Sequence, residues 1–214
     1  MNKIVVLIGA PGAGKGTQAR LFEERKKIPQ ISTGDIFREM KNSRTPLATE
    51  VQKIMAEGKL ISDELTFEIV KDRTSKEDCR TTYILDGFPR TAVQAEMLEK
   101  LAAEQDKEIS AILIDVPLEN LEKRMTGRRK CSVCGEIYNI YFKPPIKENF
   151  CDLHPAEQLE QRTDDTEEKA KVRLATYEEQ TKPLLDYYEN TERLKKVNGT
   201  VDSETIYGQL EKLI

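Results

Sequence analysis

An α/β fold around one parallel sheet is predicted by three features of the sequence. Short apolar runs alternate with longer helical patterns over most of the 214 residues. The first run, Ile4-Val-Val-Leu-Ile8, has no polar alternation, as a strand covered on both faces requires. It leads through the glycine-rich stretch Gly9-Ala-Pro-Gly-Ala-Gly-Lys15-Gly-Thr17 into a helical pattern.

The elements follow in order. Strands are predicted at 4–8, 30–32, 82–85, 111–116 and 195–198, the second and last being the weakest. Helices are predicted near 16–27, 63–75, 91–104, 117–126 and 164–189. Strand–helix–strand crossovers in such a sheet are right-handed. Two segments break the alternation. Residues 33–62 read as short polar helices, one at Thr33-Gly-Asp-Ile-Phe-Arg38 and one from Pro46 to Glu57. Residues 127–163 are rich in Lys, Pro and Cys, with a β-like piece at Glu136-Ile-Tyr-Asn-Ile-Tyr-Phe142. Both read as insertions at the sheet's C-terminal edge, where α/β folds bind ligands.

Composition narrows the function. Charged residues make up 34% of the chain, and no apolar run approaches a membrane span. The first apolar run is too short for a signal peptide and enters the glycine-rich turn directly, so a cytoplasmic protein is expected. The net charge of −4 supplies no global basic field for nucleic acid.

Strand, glycine-rich turn and helix form the setting of a phosphate-binding loop. Glycines at 12, 14 and 16 let backbone N–H groups close on phosphate oxygens, and the new helix aims its positive end at the same anion. Lys15 adds a point charge and Thr17 a hydroxyl near Mg²⁺. Asp86-Gly-Phe-Pro-Arg90 follows a strand. Its carboxylate can orient Mg²⁺ or its waters, and Arg90 offers a planar fork for phosphate or carboxylate. Cys131-x-x-Cys134 and Cys151-x-x-His154 form two ligand pairs around a hairpin-like segment, and His154 is the chain's only histidine. Four such ligands suit a closed, structural Zn²⁺ site, with Fe²⁺ as the alternative occupant. An insertion too small for its own hydrophobic core would draw its folding energy from that metal. Cys79 has no assigned function.

Taken with Ser32-Thr33-Gly34-Asp35 and Arg38, Gln94, Thr126-Gly-Arg128-Arg129, and Arg162-Thr-Asp-Asp with Arg173, these motifs resemble the adenylate kinase family in its long-lid form. They occur in the right order over nearly the whole chain, and Gly16 between Lys15 and Thr17 belongs to the same pattern. The resemblance implies a three-layer P-loop fold with a five-stranded parallel sheet. It implies a core of residues 1–31, 62–126 and 164–214, a helical nucleoside-monophosphate insertion at 32–61 and a zinc-binding lid at 127–163. Gly12, Ala13, Gly14, Lys15, Gly16 and Thr17 would cradle the ATP phosphates. Arg124, Arg128, Ile137, Tyr138 and Val201 would complete the ATP side. Thr33 and Gln94 would meet the AMP adenine, and Arg38 and Arg90 its phosphate. Lys59, Leu60 and Ile61, with Gly87, Phe88 and Pro89, would line the AMP site. Arg162 and Arg173 would close the charge clamp, and Asp86 with Thr17 would hold Mg²⁺ indirectly. The substrates would be ATP, AMP and ADP, the chain a monomer, and the lid would close over ATP to exclude water.

The arginines suit phosphoryl transfer on physical grounds too, because charge builds on the equatorial oxygens and must be neutralised by groups that stay protonated. Taken alone, several have blander readings. Arg124 suits the end of a helix closed by Gly127, Arg128 and Arg129 a solvated pair, and Arg173 and Gln94 plain helix surface. Tyr138 suits a cover for the lid's small core, and Asp165-Thr-Glu-Glu168 a helix cap. Another nucleoside monophosphate kinase is the nearest alternative function. A zinc-ribbon nucleic-acid module is the alternative from a different class.

Overall fold

The computed structural model of the chain describes residues 2–40, 43, 45–57 and 59–214. Its centre is a five-stranded sheet made of β1 (Lys3–Ile8), β2 (Gln30–Ser32), β3 (Tyr83–Asp86), β4 (Glu108–Asp115) and β7 (Leu194–Asn198). The spatial order is β2-β3-β1-β4-β7, and every pairing is parallel. β1 is thus central, which accounts for its unbroken apolar run. Ile4, Val6 and Ile8 enter one core with Tyr83, Leu98 and Tyr188, while Val5 and Leu7 enter the other with Phe22, Ile112 and Leu210.

Helices cover both faces. One face carries α4 (Asp63–Thr74), α5 (Ala92–Glu104) and α8 (Leu184–Asn190). The other carries α1 (Lys15–Lys26), α6 (Leu118–Thr126) and α9 (Ser203–Glu211). Strand ends depart from the apolar runs where pairing decides them. β4 begins at Glu108, three residues before the apolar stretch, because Lys3 pairs with Glu108. β3 reaches Asp86 because Leu7 and Ser32 both face it.

The helix expected over 164–189 is broken in three. α7 (Glu167–Thr176) runs into one π-helical turn at Tyr177–Thr181, and α8 resumes after Pro183. Pro183 has no N–H for the ladder, and the Lys182 N–H reaches back to the Tyr177 carbonyl instead. The cap of α7 also differs from expectation. Thr166 is the cap residue, accepting from the Lys169 N–H, which releases Asp165 for another task.

Between β2 and α4 lie α2 (Thr33–Glu39) and α3 (Pro46–Ala56), joined by a small core of Phe37, Val51 and Ile61. After α6 the chain forms β5 (Arg128–Lys130) and β6 (Ile137–Asn139), an antiparallel pair. The strand is shorter than the expected 136–142 piece, because Asn139 bridges Lys143 and turns the chain. Gly127 is needed at this junction by proximity, not by dihedral. Its φ is −78°, and a Cβ there would lie 2.6 Å from Tyr141 Cδ2 and 2.7 Å from Asn139 Oδ1. Asn139 in turn donates to the Arg124 carbonyl at 3.0 Å, capping α6 from inside the lid.

Candidate active site

The glycine-rich loop links β1 to α1. Ser32, Thr45, Ser62, Thr91, Thr166 and Asp202 cap the starts of their helices with side-chain oxygens. α1 has no such cap. Gly14 stands there in the left-handed region at φ 100°, so the first N–H groups of α1 are free for an anion. Gly12 is also left-handed, at φ 88°, and a Cβ would press on the Leu121 carbonyl. The ammonium of Lys15 curls over the loop, donating to the carbonyls of Gly9 (2.7 Å) and Ala10 (3.1 Å). Burial, with Arg90, Arg173 and Arg128 nearby, brings its pKa down to about 8, although Asp86 opposes the shift.

Two adjoining cavities open beside the loop. The larger, about 630 Å³, is lined by the loop from Gly12 to Thr17, by Asp86 and Pro89, and by Arg124, Arg128 and Arg162. Its far wall brings in Ile137, Tyr138 and Val201. The smaller, about 70 Å³, is lined by Thr33, Lys59, Ile61 and Gln94 among others. Gly34, Arg38, Leu60, Gly87, Arg90 and Arg173 face both. The predicted donor-side and acceptor-side residues therefore separate into two spaces that meet at three guanidinium groups. Pro89 and Arg162 depart from this, lining only the larger cavity. Phe88 departs too. Its ring is fully buried in the sheet core, near Phe67, and lines neither cavity.

The charges are held from behind. Asp165 is completely buried and accepts from Arg128 twice (2.7 and 2.5 Å) and from Arg173 once (3.1 Å). Burial works against the charge of Arg128, but Asp165 outweighs it and raises the pKa. Asp164 pairs with Arg173 at 3.0 Å. Asp35 pairs with Arg38 at 2.7 Å and faces Arg162 at 3.7 Å. Burial would raise the Asp35 pKa, yet Arg38 and Arg162 bring it down to about 2. Burial is the largest effect on Arg90 and on Arg162, and both fall to about 10, so they stay protonated at neutral pH. Arg128 and Arg173 are thus neither a solvated pair nor plain surface. Asp165 was missed by sequence reasoning. Its signal was the acidic pair beside Arg162, which looked like helix capping.

Gly87 is where the β3 turn closes on the site. At φ 83° it is left-handed, and a Cβ would meet Arg90 Nη2 at 2.7 Å and Thr33 Oγ at 2.9 Å. Its carbonyl accepts from Thr33 Oγ and from Arg90 Nε. Gln94 is only 1% exposed, not on the helix surface. Its Oε1 accepts from the Arg90 N–H and its Nε2 donates to Asp63, which leaves one donor and one acceptor position for a ligand. Asp86 Oδ2 takes only a long 3.4 Å bond from Gln30 and sits where a Gly16 Cβ would lie 3.1 Å away. A carboxylate so placed, beside Thr17 and not clasped by an arginine, fits a hydrated Mg²⁺ at the phosphates.

In the lid, the ligand atoms of Cys131, Cys134, Cys151 and His154 all lie within 4.8 Å of one another. Cys134 and Cys151 sulfurs are 3.7 Å apart, and Cys151 Sγ is 3.8 Å from His154 Nδ1. A tetrahedron with Zn–S bonds near 2.3 Å has an S···S edge of about 3.8 Å, so the cage fits zinc. Buried Cys131, Cys151, Tyr138 and Leu159 make up the lid core. The Tyr138 hydroxyl accepts from the Asp152 N–H, so only its ring is left to face the cavity. Cys79 is buried apart from this cage, its thiol pushed up to about 11 by burial. Among the described residues no helix is long and apolar enough to cross a membrane.

The sequence model of the adenylate kinase family matches residues 7–193. Over 211 residues the chain is 47% identical to an adenylate kinase of Clostridium perfringens, covering 98% of this chain and 97% of the relative. An adenylate kinase of Clostridium novyi is 48% identical over 204 residues, with 95% and 94% covered. One of Clostridium botulinum is 48% identical over 211 residues, with 98% and 97% covered.

Proposed function

The chain belongs to the adenylate kinase family, and from that premise we propose which residues carry the transfer. The reaction is reversible movement of a phosphoryl group from ATP to AMP, giving two ADP. In the proposed arrangement ATP occupies the larger cavity, with its phosphates on the Gly12–Thr17 loop and its base between Arg124, Ile137, Tyr138 and Val201. AMP occupies the smaller cavity, its adenine near Thr33, Gln94 and the 59–61 backbone. The observation that carries this reading is the shared lining of the two cavities, because Arg38, Arg90 and Arg173 stand where two head-to-head phosphates would meet.

Transfer passes through a loose transition state with charge on equatorial oxygens. Lys15, Arg38, Arg90, Arg128, Arg162 and Arg173 take up that charge as fixed donors. None has to lose a proton, and no general base is required. Mg²⁺ bound with ATP supplies further charge neutralisation at the phosphates, oriented through Asp86 and Thr17. Phe88 contributes its backbone and its packing. Residues 32–61 form the acceptor-side insertion on the core, and residues 127–163 form the lid that closes over ATP. Zn²⁺ fits the Cys₃His cage as a structural ion. The thiol cluster suits a reducing cytoplasm, and a monomer suffices because one chain lines both cavities.

A coupled assay of ADP formation, run with a panel of donors and acceptors, tests the reading. ATP with AMP should be the preferred pair, and Lys15→Met and Arg90→Leu should each lower kcat at least about 100-fold with the fold retained. Preference for UMP or CMP over AMP would point to another nucleoside monophosphate kinase. Full activity of either variant would remove the assigned roles.

A further inference from the structure

Among the described residues, one more ionic contact outside the charge clamp joins the lid to the core. Arg20 on α1 hydrogen-bonds Glu136, the residue before β6. The other carboxylate oxygen of Glu136 takes the Lys143 ammonium at 2.5 Å, and Lys143 in turn lies over the Tyr138 ring. The paired side chains are 22% and 19% exposed, drier than an ordinary surface pair. Glu24, one turn along α1, faces Arg20 Nε at 3.6 Å.

The connection is informative because of what its two ends carry. α1 also bears Lys15 and Thr17 at its start, while Glu136 directly precedes Ile137 and Tyr138 in the far wall of the larger cavity. The lid core is a separate apolar cluster from the two that cover the sheet. Apolar burial therefore does not fasten this edge of the lid to α1, and the Arg20–Glu136–Lys143 group does.

We propose that Arg20 and Glu136 form a clasp that registers the lid over the phosphate helix and sets the apparent affinity for the ATP-side nucleotide. Glu136, which lines neither cavity, is a positioning residue, and Arg20, which also lines the larger cavity, is its anchor on α1. They act by raising the population of the lid position competent to hold that nucleotide, and apparent affinity scales with that population. The smaller cavity has neither residue in its lining, so the acceptor side is untouched. This inference rests on the assignment of ATP to the larger cavity.

The test is a double-mutant cycle with Arg20→Gln, Glu136→Gln and the pair. Binding of a non-hydrolysable ATP analogue and of AMP is measured by titration calorimetry, alongside turnover of the unaltered protein. Each single variant should bind the analogue about 3- to 10-fold more weakly, with AMP affinity unchanged and Tm near that of the parent. The double variant should resemble the singles and not their product, because one contact is lost in all three. Raising ionic strength should narrow the gap between the parent and Glu136→Gln. Unchanged analogue affinity in both singles, strictly multiplicative losses, or an equal loss for AMP would each overturn the clasp. Failure of the unaltered protein to form ADP from ATP and AMP would instead remove the assignment beneath it.

Discussion

Replacing Asp165 by Asn removes one charge and keeps the shape. That carboxylate is fully buried and holds Arg128 by two bonds and Arg173 by one. Breaking a fully buried ion pair costs about 3–5 kcal/mol. Here the arginine side chains remain 15% and 19% exposed at the cleft, so water can partly replace the lost partner. A discounted cost of about 1–3 kcal/mol follows, which at this chain length lowers Tm by roughly 3–10 °C. Turnover should fall further than stability suggests. Both guanidinium groups remain present, but Arg128 loses the carboxylate that aims it and Arg173 keeps only Asp164, and misplacement of that kind costs about 10- to 100-fold in kcat. A nucleotide supplies negative charge to the same arginines, so a saturating two-headed dinucleotide polyphosphate should narrow the Tm gap. Calorimetry and the coupled ADP assay measure all three effects. A kcat within about threefold of the parent would refute the positioning argument, whatever the change in Tm.

Lys15 has a pKa near 8 in the free protein, and contact with phosphate should raise it. Binding of Mg-ATP should therefore take up a proton above pH 8, and affinity at pH 9 should be about tenfold weaker than at pH 7. Titration in buffers of different ionisation heat checks this, and Lys15→Arg should abolish the proton uptake. The carboxyl of Asp35 is depressed to about 2, so its stabilising contribution is present above about pH 4 and is lost as pH falls toward 2. Asp35→Asn should flatten the acid limb of the stability curve over that interval. Stripping the lid metal with a chelator should lower Tm and weaken ATP binding more than AMP binding, and an unchanged melt would contradict a structural ion. Gly127→Ala places a Cβ 2.6 Å from Tyr141 and 2.8 Å from the Lys123 carbonyl, and should cost about 1–3 kcal/mol in thermal denaturation.

The central strands were legible in the sequence because β1 is buried on both faces and must be apolar throughout, and the Gly12–Thr17 loop because its backbone shape demands glycine. The metal cage was legible because ligand spacing within a turn is a local property. What escaped was set by distant partners. The start of β4 depends on pairing with Lys3, not on its own residues. Gln94 looked like helix surface because nothing local says that Asp63 and the Arg90 N–H will enclose it. Asp165 looked like a cap because Thr166, one residue later, satisfies the helix equally well. The break in the 164–189 helix was the exception, since Pro183 marked it in plain view and the long amphipathic pattern outweighed that mark.

The physical sense of the site lies in its imbalance. Lys15, Arg90 and Arg162 all have pKa values lowered by burial, so the free protein holds cations in a place that disfavours them. Asp165 offsets part of that repulsion from behind both cavities, while Asp35 at the edge of the larger and Asp164 at the edge of the smaller each pair with a guanidinium group. The uncompensated remainder faces the one region that both cavities share. A polyphosphate entering there relieves the repulsion, and the transferring group, with its charge spread over equatorial oxygens, relieves it most. Lys15→Met should for this reason do two opposite things at once. It should raise Tm, by removing a desolvated ammonium, while it abolishes turnover. A variant that lost both stability and activity would mean that the Lys15 charge is already satisfied by the Gly9 and Ala10 carbonyls, and that the free site carries no strain for a nucleotide to release.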